Sequence, residues 1–316
     1  MKLLVSGMEC LRRYVSREFH YTMRDLIQLY GWKQIDTWDL WHPRGSLEKR
    51  LLTEFEELPR VILFWEGYEF CYPSLKELMG LDCHKCFFAD DLHHRNEFER
   101  SRKREVLSVF DTILASYGYA LDCFYPGLCA AKRIAWIPHS ASPDFVLPFN
   151  ERPENAVFLS GAINRFYPLR QRMVRLGDKL PDRIVLHPHP GYHCEYDYCR
   201  NESVGNGYAR KINRFRAGFT DSSQFQYVVA KYFEIPATGA TLLADGAVSE
   251  PLERLGFIEN THYVSVSIDN MDEKIRYVLN HDNVDEIDEI RRRGQELVLS
   301  RHKTSDRARL IDEVCS

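Results

Sequence analysis

Residues 231–246 read KYFEIPATGATLLADG. Preceded by Val228 and Val229 and carrying Tyr232 and Phe233, this apolar helical stretch holds one acid, Glu234. It closes at Gly239 and runs straight into an apolar strand. A helix that feeds a buried strand at once is half of a βαβ unit, so the rest of the chain should repeat the pattern.

It does. HYVSVS (262–267) follows, and RAGFTDSS (216–223), RIVLHPHP (183–190) and NAVFLSGA (155–162) come before, with helix-like stretches at 167–177, 225–237 and 271–280. An earlier series has KLLVSG (2–7), RVILFWEG (60–67), CHKCFFADD (83–91), VFDTILASYG (109–118) and RIAWIPHS (133–140). Helical patterns in YTMRDLIQLYGW (21–32) and SLKELMGL (74–81) separate several of these runs. Strands that alternate with helices and look continuously apolar belong to parallel sheets covered on both faces. The expected fold is therefore α/β, with two Rossmann-like doubly wound domains facing across a cleft. The expected domains are 1–150 and 151–316, joined in SPDFVLPFNERPEN (142–155), which carries three prolines and little periodicity. The charged C-terminal stretch from Val284 reads as a helix with a solvated face that can pack back on the N-terminal domain.

The charge of −4 over 316 residues gives no electrostatic reason to expect nucleic acid or an anionic membrane as partner. Nine cysteines, an odd number irregularly spaced, fit reduced thiols and a cytoplasmic location. No apolar run approaches the ~20 residues of a membrane span.

In open parallel sheets, ligands sit beyond the carboxyl ends of the strands. That rule picks out Gly7, Glu66, Asp90, Asp91, His139, Gly161, His187, His189, Asp221 and Asp245. One such end is LHPHPGYHCEYDYC (186–199), where His187, His189, His193, Cys194 and Cys199 are all zinc-ligand types. Pro190 and Gly191 speak against a helix presenting His189 and His193 together, and the cysteines form no CxxC pair. No metal is expected here; His189, on a stiff strand-end turn, reads as a substrate contact. No GxGxxG follows any strand, which disfavours a dinucleotide oxidoreductase.

The 231–246 segment resembles the nucleotide-sugar segment of two-domain GT-B glycosyltransferases, and more narrowly the glycosyl transferases group 1, CgeB-like (spore maturation protein-like) family. VFLSGAINRFYPLRQRMVRL (157–176), HPGYH (189–193), YARKINRFRAGFTDSS (208–223) and LERLGFIENTHYVSVSIDNMDEKIRYVL (252–279) are similar to family elements, as are FFADDLHH (87–94) and IAWIPHSASPDF (134–145). The resemblance implies transfer of a hexosyl or pentosyl group from a nucleoside-diphosphate sugar to a hydroxyl on a glycan or small molecule. It implies no bound metal or other cofactor. It implies that Glu234 accepts hydrogen bonds from the ribose hydroxyls, a bidentate, charge-assisted contact. Gly239 then ends the helix and allows close backbone approach. Arg165, Arg170 and Lys231 are candidates for countercharge to the diphosphate, and Ser222 and Ser223 for a phosphate cradle at a helix N-terminus. Gly161, His189 and Tyr192 complete the donor-side set.

Retaining relatives carry a second glutamate eight positions before the first; here that position is Gln226, which favours inversion. Inversion requires a general base to activate the acceptor hydroxyl. His20, Asp90 and Asp91 are the candidates, with Glu66, Tyr68 and His93 on the acceptor side. Trp65, Tyr68, Phe70 and Tyr72 could form a stacking platform or simply core. Two alternatives share the frame: a nucleotide-sugar epimerase or hydrolase, and a carbohydrate-binding protein that has lost catalysis.

Overall fold

The computed structural model describes residues 1–42, 45–192 and 195–316. The chain divides into two compact units, the first comprising Met1–Arg12, Phe19–Pro138 and Ser305–Ser316, the second Arg13–Glu18 and His139–Thr304. The stretch expected to be a linker, 142–155, falls inside the second unit because that unit holds its backbone. The Arg291 guanidinium donates to the Asn150 carbonyl at 2.8 Å, and the Gln295 amide donates to the Leu147 carbonyl at 3.0 Å.

In the first unit six parallel strands, β1 (Lys2–Val5), β2 (Lys33–Ile35), β3 (Val61–Trp65), β4 (His84–Ala89), β5 (Thr112–Ala115) and β6 (Arg133–Trp136), lie in the order β2-β1-β3-β4-β5-β6. Leu3 is paired with Lys33 on one side and Ile62 on the other. All of β3 is buried, as a strand covered on both faces must be. β2 was not expected: its three residues, KQI, sit at the sheet edge and carry no apolar run. The helix Thr304–Cys315 contributes Ala308, Ile311 and Cys315 to the core around Leu4, Leu63 and Phe88. Its Asp312 accepts from the Trp32 indole at 2.6 Å and pairs with Lys2.

The second unit holds β7 (Glu154–Ser160), β8 (Ile184–His187), β9 (Phe215–Thr220), β10 (Thr241–Asp245) and β11 (Val264–Val266), all parallel, in the order β11-β10-β9-β7-β8. From β7 the chain steps outward to β8, then returns past β7 to β9. The strand order therefore reverses at the carboxyl ends of β7 and β9, which is where such sheets bind ligands.

One helix differs from its expected span. The one expected over 225–237 spans Lys231–Ala237. Ser223 and Gln226 adopt φ of +60° and +54°, and left-handed residues cannot be threaded into a right-handed helix, so 222–230 forms turns instead. The charged helix Val284–Arg301 is solvated on one face only. The other buries Ile287, Ile290, Leu297 and Val298, with Arg291 fully enclosed and donating to the Gly239 carbonyl at 2.9 Å.

No helix among the described residues is long and apolar enough to cross a membrane. Seven of the described cysteines are free thiols, whereas Cys10 departs from the reduced-thiol expectation and is disulfide-bonded.

Candidate active site

The switch point of the second unit is built from the β7 and β9 ends. Pro168 opens the helix Pro168–Gly177, its fixed φ suiting the first turn. The carboxylate of Asp221, just past β9, caps that helix by accepting the Arg170 N–H at 3.0 Å, and also accepts the Ser223 N–H at 2.7 Å. Burial pushes the Asp221 carboxyl up; Arg170 and these two N–H groups oppose the shift. The Arg170 side chain, 3% exposed, lies 3.9 Å over the Tyr167 ring and donates to the Ala162 carbonyl at 3.1 Å. Gly161 has φ +109°, and a Cβ on it would stand 2.7 Å from the Arg170 guanidinium. Gly161 thus makes room for Arg170 itself. We expect Gly161→Ala to cost about 1–3 kcal/mol from the backbone alone and to displace the guanidinium. A lowered Tm together with weakened binding of a nucleoside-diphosphate sugar, read by calorimetry, checks this.

Glu234 is 5% exposed, so it does not lie on a solvated helix face. The helix that carries it is buried from Tyr232 through Ala237, on every face rather than on one stripe. Its carboxylate has no hydrogen-bond partner among the described residues. Desolvation raises its pKa to about 7, with Glu18 and Asp144 adding to the rise and Lys231 and His139 opposing it. Lys231, one turn earlier, makes no ion pair or hydrogen bond among the described residues; its ammonium sits 5.4 Å from the centre of the Tyr208 ring. The nearby charges of Tyr208 and Glu234 hold the Lys231 pKa up against desolvation, which acts to lower it. A buried carboxyl and a half-buried ammonium, neither with a hydrogen bond among the described residues, suit a ligand that brings hydroxyls to the one and phosphate to the other.

His189 belongs to the same neighbourhood. Burial first, then Lys231 and Arg170, press its pKa down to about 4, so it is neutral at pH 7. Its Nδ1 accepts the Gly191 N–H at 3.0 Å, and its ring lies 4.5 Å from that of Tyr192, which is largely exposed. His187 is spent differently, stacked on Phe158 and Tyr208 with Nε2 3.1 Å from the Ser203 hydroxyl. His193 and Cys194 lie outside the described residues. Arg165 is exposed, over Phe166.

Three donor-side expectations need correction. Ser222 and Ser223 do not sit at a helix N-terminus, since the helix begins eight residues past Ser223, at Lys231. The Ser222 hydroxyl donates to Asp245 at 2.6 Å, and Ser223 Oγ accepts the Phe225 N–H at 3.2 Å, so both are used in the turn. Gly239 ends its helix at φ +81° but lies at the amino end of β10, its carbonyl occupied by Arg291. Its glycine is needed because a Cβ would press on Phe149 at 3.1 Å.

In the first unit a cavity of about 580 Å³ opens at the ends of β3 and β4. Glu66, Tyr68, Asp91 and His93 all line it, so four of the acceptor-side and catalytic candidates come together. Lys103, which the sequence did not single out, organises it from the helix Glu97–Ser108. Its buried ammonium donates to both Glu66 oxygens at 3.1 and 3.2 Å and to the Asp91 carbonyl at 2.8 Å. Glu66 has φ +54° and a pKa raised by burial against the pull of Lys103. Asp91 is exposed, with Oδ1 3.8 Å from His93 Nδ1. Burial, helped by Lys103, takes the His94 pKa down to about 4, and its Nε2 lies 2.6 Å from the Tyr125 hydroxyl.

Two base candidates do not line this cavity. Asp90 turns its backbone N–H to the Glu66 carboxylate. His20 sits in the first turn of the helix Glu18–Tyr30, its Nδ1 3.4 Å from the Met8 carbonyl. Of the four aromatics proposed as a platform, only Tyr68 lines the cavity. Trp65 is core, stacked 3.9 Å from Phe88.

The glycosyl transferase-like family model matches residues 170–313. No curated protein matches the sequence. Among solved structures, sucrose-phosphate synthase from Thermosynechococcus elongatus is similar at a TM-score of 0.69 and 11% identity, over 99% of this chain and 98% of that one. Anabaena HepE in complex with UDP and glucose gives 0.60 at 9% identity, over 99% of each chain. Trehalose-6-phosphate synthase, described for glycosyl transfer with retention, gives 0.61 at 10% identity, over 100% of this chain and 99% of that one. The fold is that of these GT-B structures, and the residues that match the glycosyl transferase-like model carry Arg170, Asp221, Lys231 and Glu234.

Proposed function

We propose that this protein transfers a sugar from a nucleoside diphosphate to an acceptor hydroxyl, with inversion and without a bound metal. The observation that carries the reading is the pairing of the buried Glu234 with the half-buried Lys231, neither of which has a hydrogen-bond partner among the described residues. The Glu234 carboxylate takes the ribose hydroxyls. Lys231 and the adjoining Arg170 offset the charge of the leaving diphosphate, the task a metal performs elsewhere. Asp91 is the base that removes the acceptor proton, in a cavity where Glu66 is tied down by Lys103 and His94 is neutral. Gln226 in place of a second acid supports inversion.

A thermal-shift series with UDP, GDP, CMP and dTDP sugars tests this. One of them, at a hundred times its Kd, should add about 2.7 kcal/mol of stability. Product analysis with and without an added acceptor then separates transfer from hydrolysis or epimerisation, and the product's anomeric configuration by NMR decides inversion. No stabilisation by any of the four would end the proposal.

A further inference from the structure

We propose that the short N-terminal segment Arg13–Glu18 is a working part of the donor site, with Arg17 as a positioning residue for the loop that bears His189. The inference rests on the donor reading above. Six residues from the start of the chain belong to the second unit, while the residues on either side of them belong to the first. A segment that merely connected two elements would not need the contacts this one makes.

One set of contacts grips the loop after β8. The Tyr196 N–H donates to the Arg13 carbonyl at 3.0 Å, and the Tyr198 hydroxyl donates to the Tyr14 carbonyl. The Tyr14 ring stacks on Tyr192 at 6.4 Å. The Arg17 guanidinium lies 3.7 Å from the centre of the Tyr198 ring while Nε donates to Asp144 at 2.9 Å. Tyr198 also lies against Gly205, where a Cβ would come within 2.4 Å of the ring. A planar cation and bare backbone thus both hold Tyr198. The loop so held carries Tyr196, whose hydroxyl donates to the Gly191 carbonyl at 2.9 Å, and through that turn His189 and Tyr192.

A second set of contacts fixes the end of the strap. The Glu18 carboxylate, 4% exposed, accepts from His139 Nδ1 at 2.8 Å and from both the N–H and the hydroxyl of Ser140. Glu18, His139 and Asp144 are three of the four charges felt at Glu234. Both sets arise from one strap of six residues.

The test uses the full chain and nucleoside diphosphates as probes. Wild type is titrated with UDP, GDP and ADP, and the tightest is carried forward. Arg17→Ala should weaken that diphosphate about tenfold or more and raise the donor KM, with kcat changed less than about threefold and acceptor KM unchanged. Arg17→Lys should recover little, since an ammonium cannot make a planar two-point contact and stack at once. Should Arg17→Ala fail to fold, Tyr198→Phe removes only the hydroxyl bond to Tyr14 and should show a smaller loss of the same kind. Binding within twofold of wild type by a folded Arg17→Ala, or by Tyr198→Phe in its place, overturns the inference alone. If wild type binds none of the three and no nucleotide sugar stabilises it, the donor reading falls and this inference with it.

Discussion

Glu234→Gln is expected to bind a nucleoside-diphosphate sugar about a hundredfold more weakly than wild type, yet to be at least as stable without ligand. The two effects share one cause. A carboxylate accepting two ribose hydroxyls supplies two charge-assisted hydrogen bonds, each worth roughly 1.5–3 kcal/mol, and every 1.4 kcal/mol is about tenfold in Kd. The amide accepts more weakly and cannot match both donors. Without ligand, however, the carboxylate is buried with no hydrogen bond among the described residues, and its pKa stands near 7 against an ordinary 4.5. The folded state therefore holds the proton where the unfolded chain has lost it. Stability falls as pH rises from about 4.5 to about 7, by no more than roughly 3 kcal/mol, and the cost is fully present above pH 7. Glu234→Gln removes that dependence. Melting curves at pH 5 and pH 8 should converge in the variant and diverge in wild type. The affinity of wild type for the nucleotide sugar should fall as pH drops below 7, because the protonated carboxyl no longer accepts two hydrogen bonds.

Lys103→Met is the counterpart in the first unit. The ammonium is 2% exposed and makes three hydrogen bonds, two of them to Glu66. Breaking a fully buried pair costs roughly 3–5 kcal/mol. The Glu66 side chain keeps 31% of its exposure, so solvent screens part of the loss and about 2 kcal/mol is expected. The deficit carries a pH signature. Glu66 already has a raised pKa and would rise further without its cation, so the penalty should grow as pH climbs past the ordinary value and vanish in acid, where both states are protonated. Glu66→Gln introduced into Lys103→Met should restore most of the lost stability, since the unpaired charge is then gone. Acceptor KM should rise in Lys103→Met while nucleotide-sugar affinity stays put. Denaturant melts at pH 4 and pH 8, with initial-rate kinetics, check all of these effects.

The sheets were legible because ten of the eleven strands carry short apolar runs, most of them buried, as strands of parallel sheets do. β2 escaped notice because an edge strand of Lys-Gln-Ile needs no apolar pattern. The helix before Glu234 was drawn too long because Ser223 and Gln226 look helical in sequence and are left-handed in space. Arg291 reads as one charge among many, yet it is wholly enclosed and holds two separate carbonyls. Glu234 itself could be singled out only by its flanking residues, since the type of a side chain does not disclose its burial. The strap at Arg13–Glu18 left no trace, because its partners, Asp144, Tyr196 and Tyr198, are more than a hundred residues away and nothing local selects them.

The central claim is that Glu234 grips a ribose. Calorimetry with the preferred nucleotide sugar and its 2′-deoxy counterpart, on wild type and Glu234→Gln, measures that grip directly. Wild type should favour the ribose form by about tenfold, one charge-assisted hydrogen bond, and the variant should scarcely distinguish the two. Equal affinity of wild type for both, or a preference that survives in Glu234→Gln, would contradict the account.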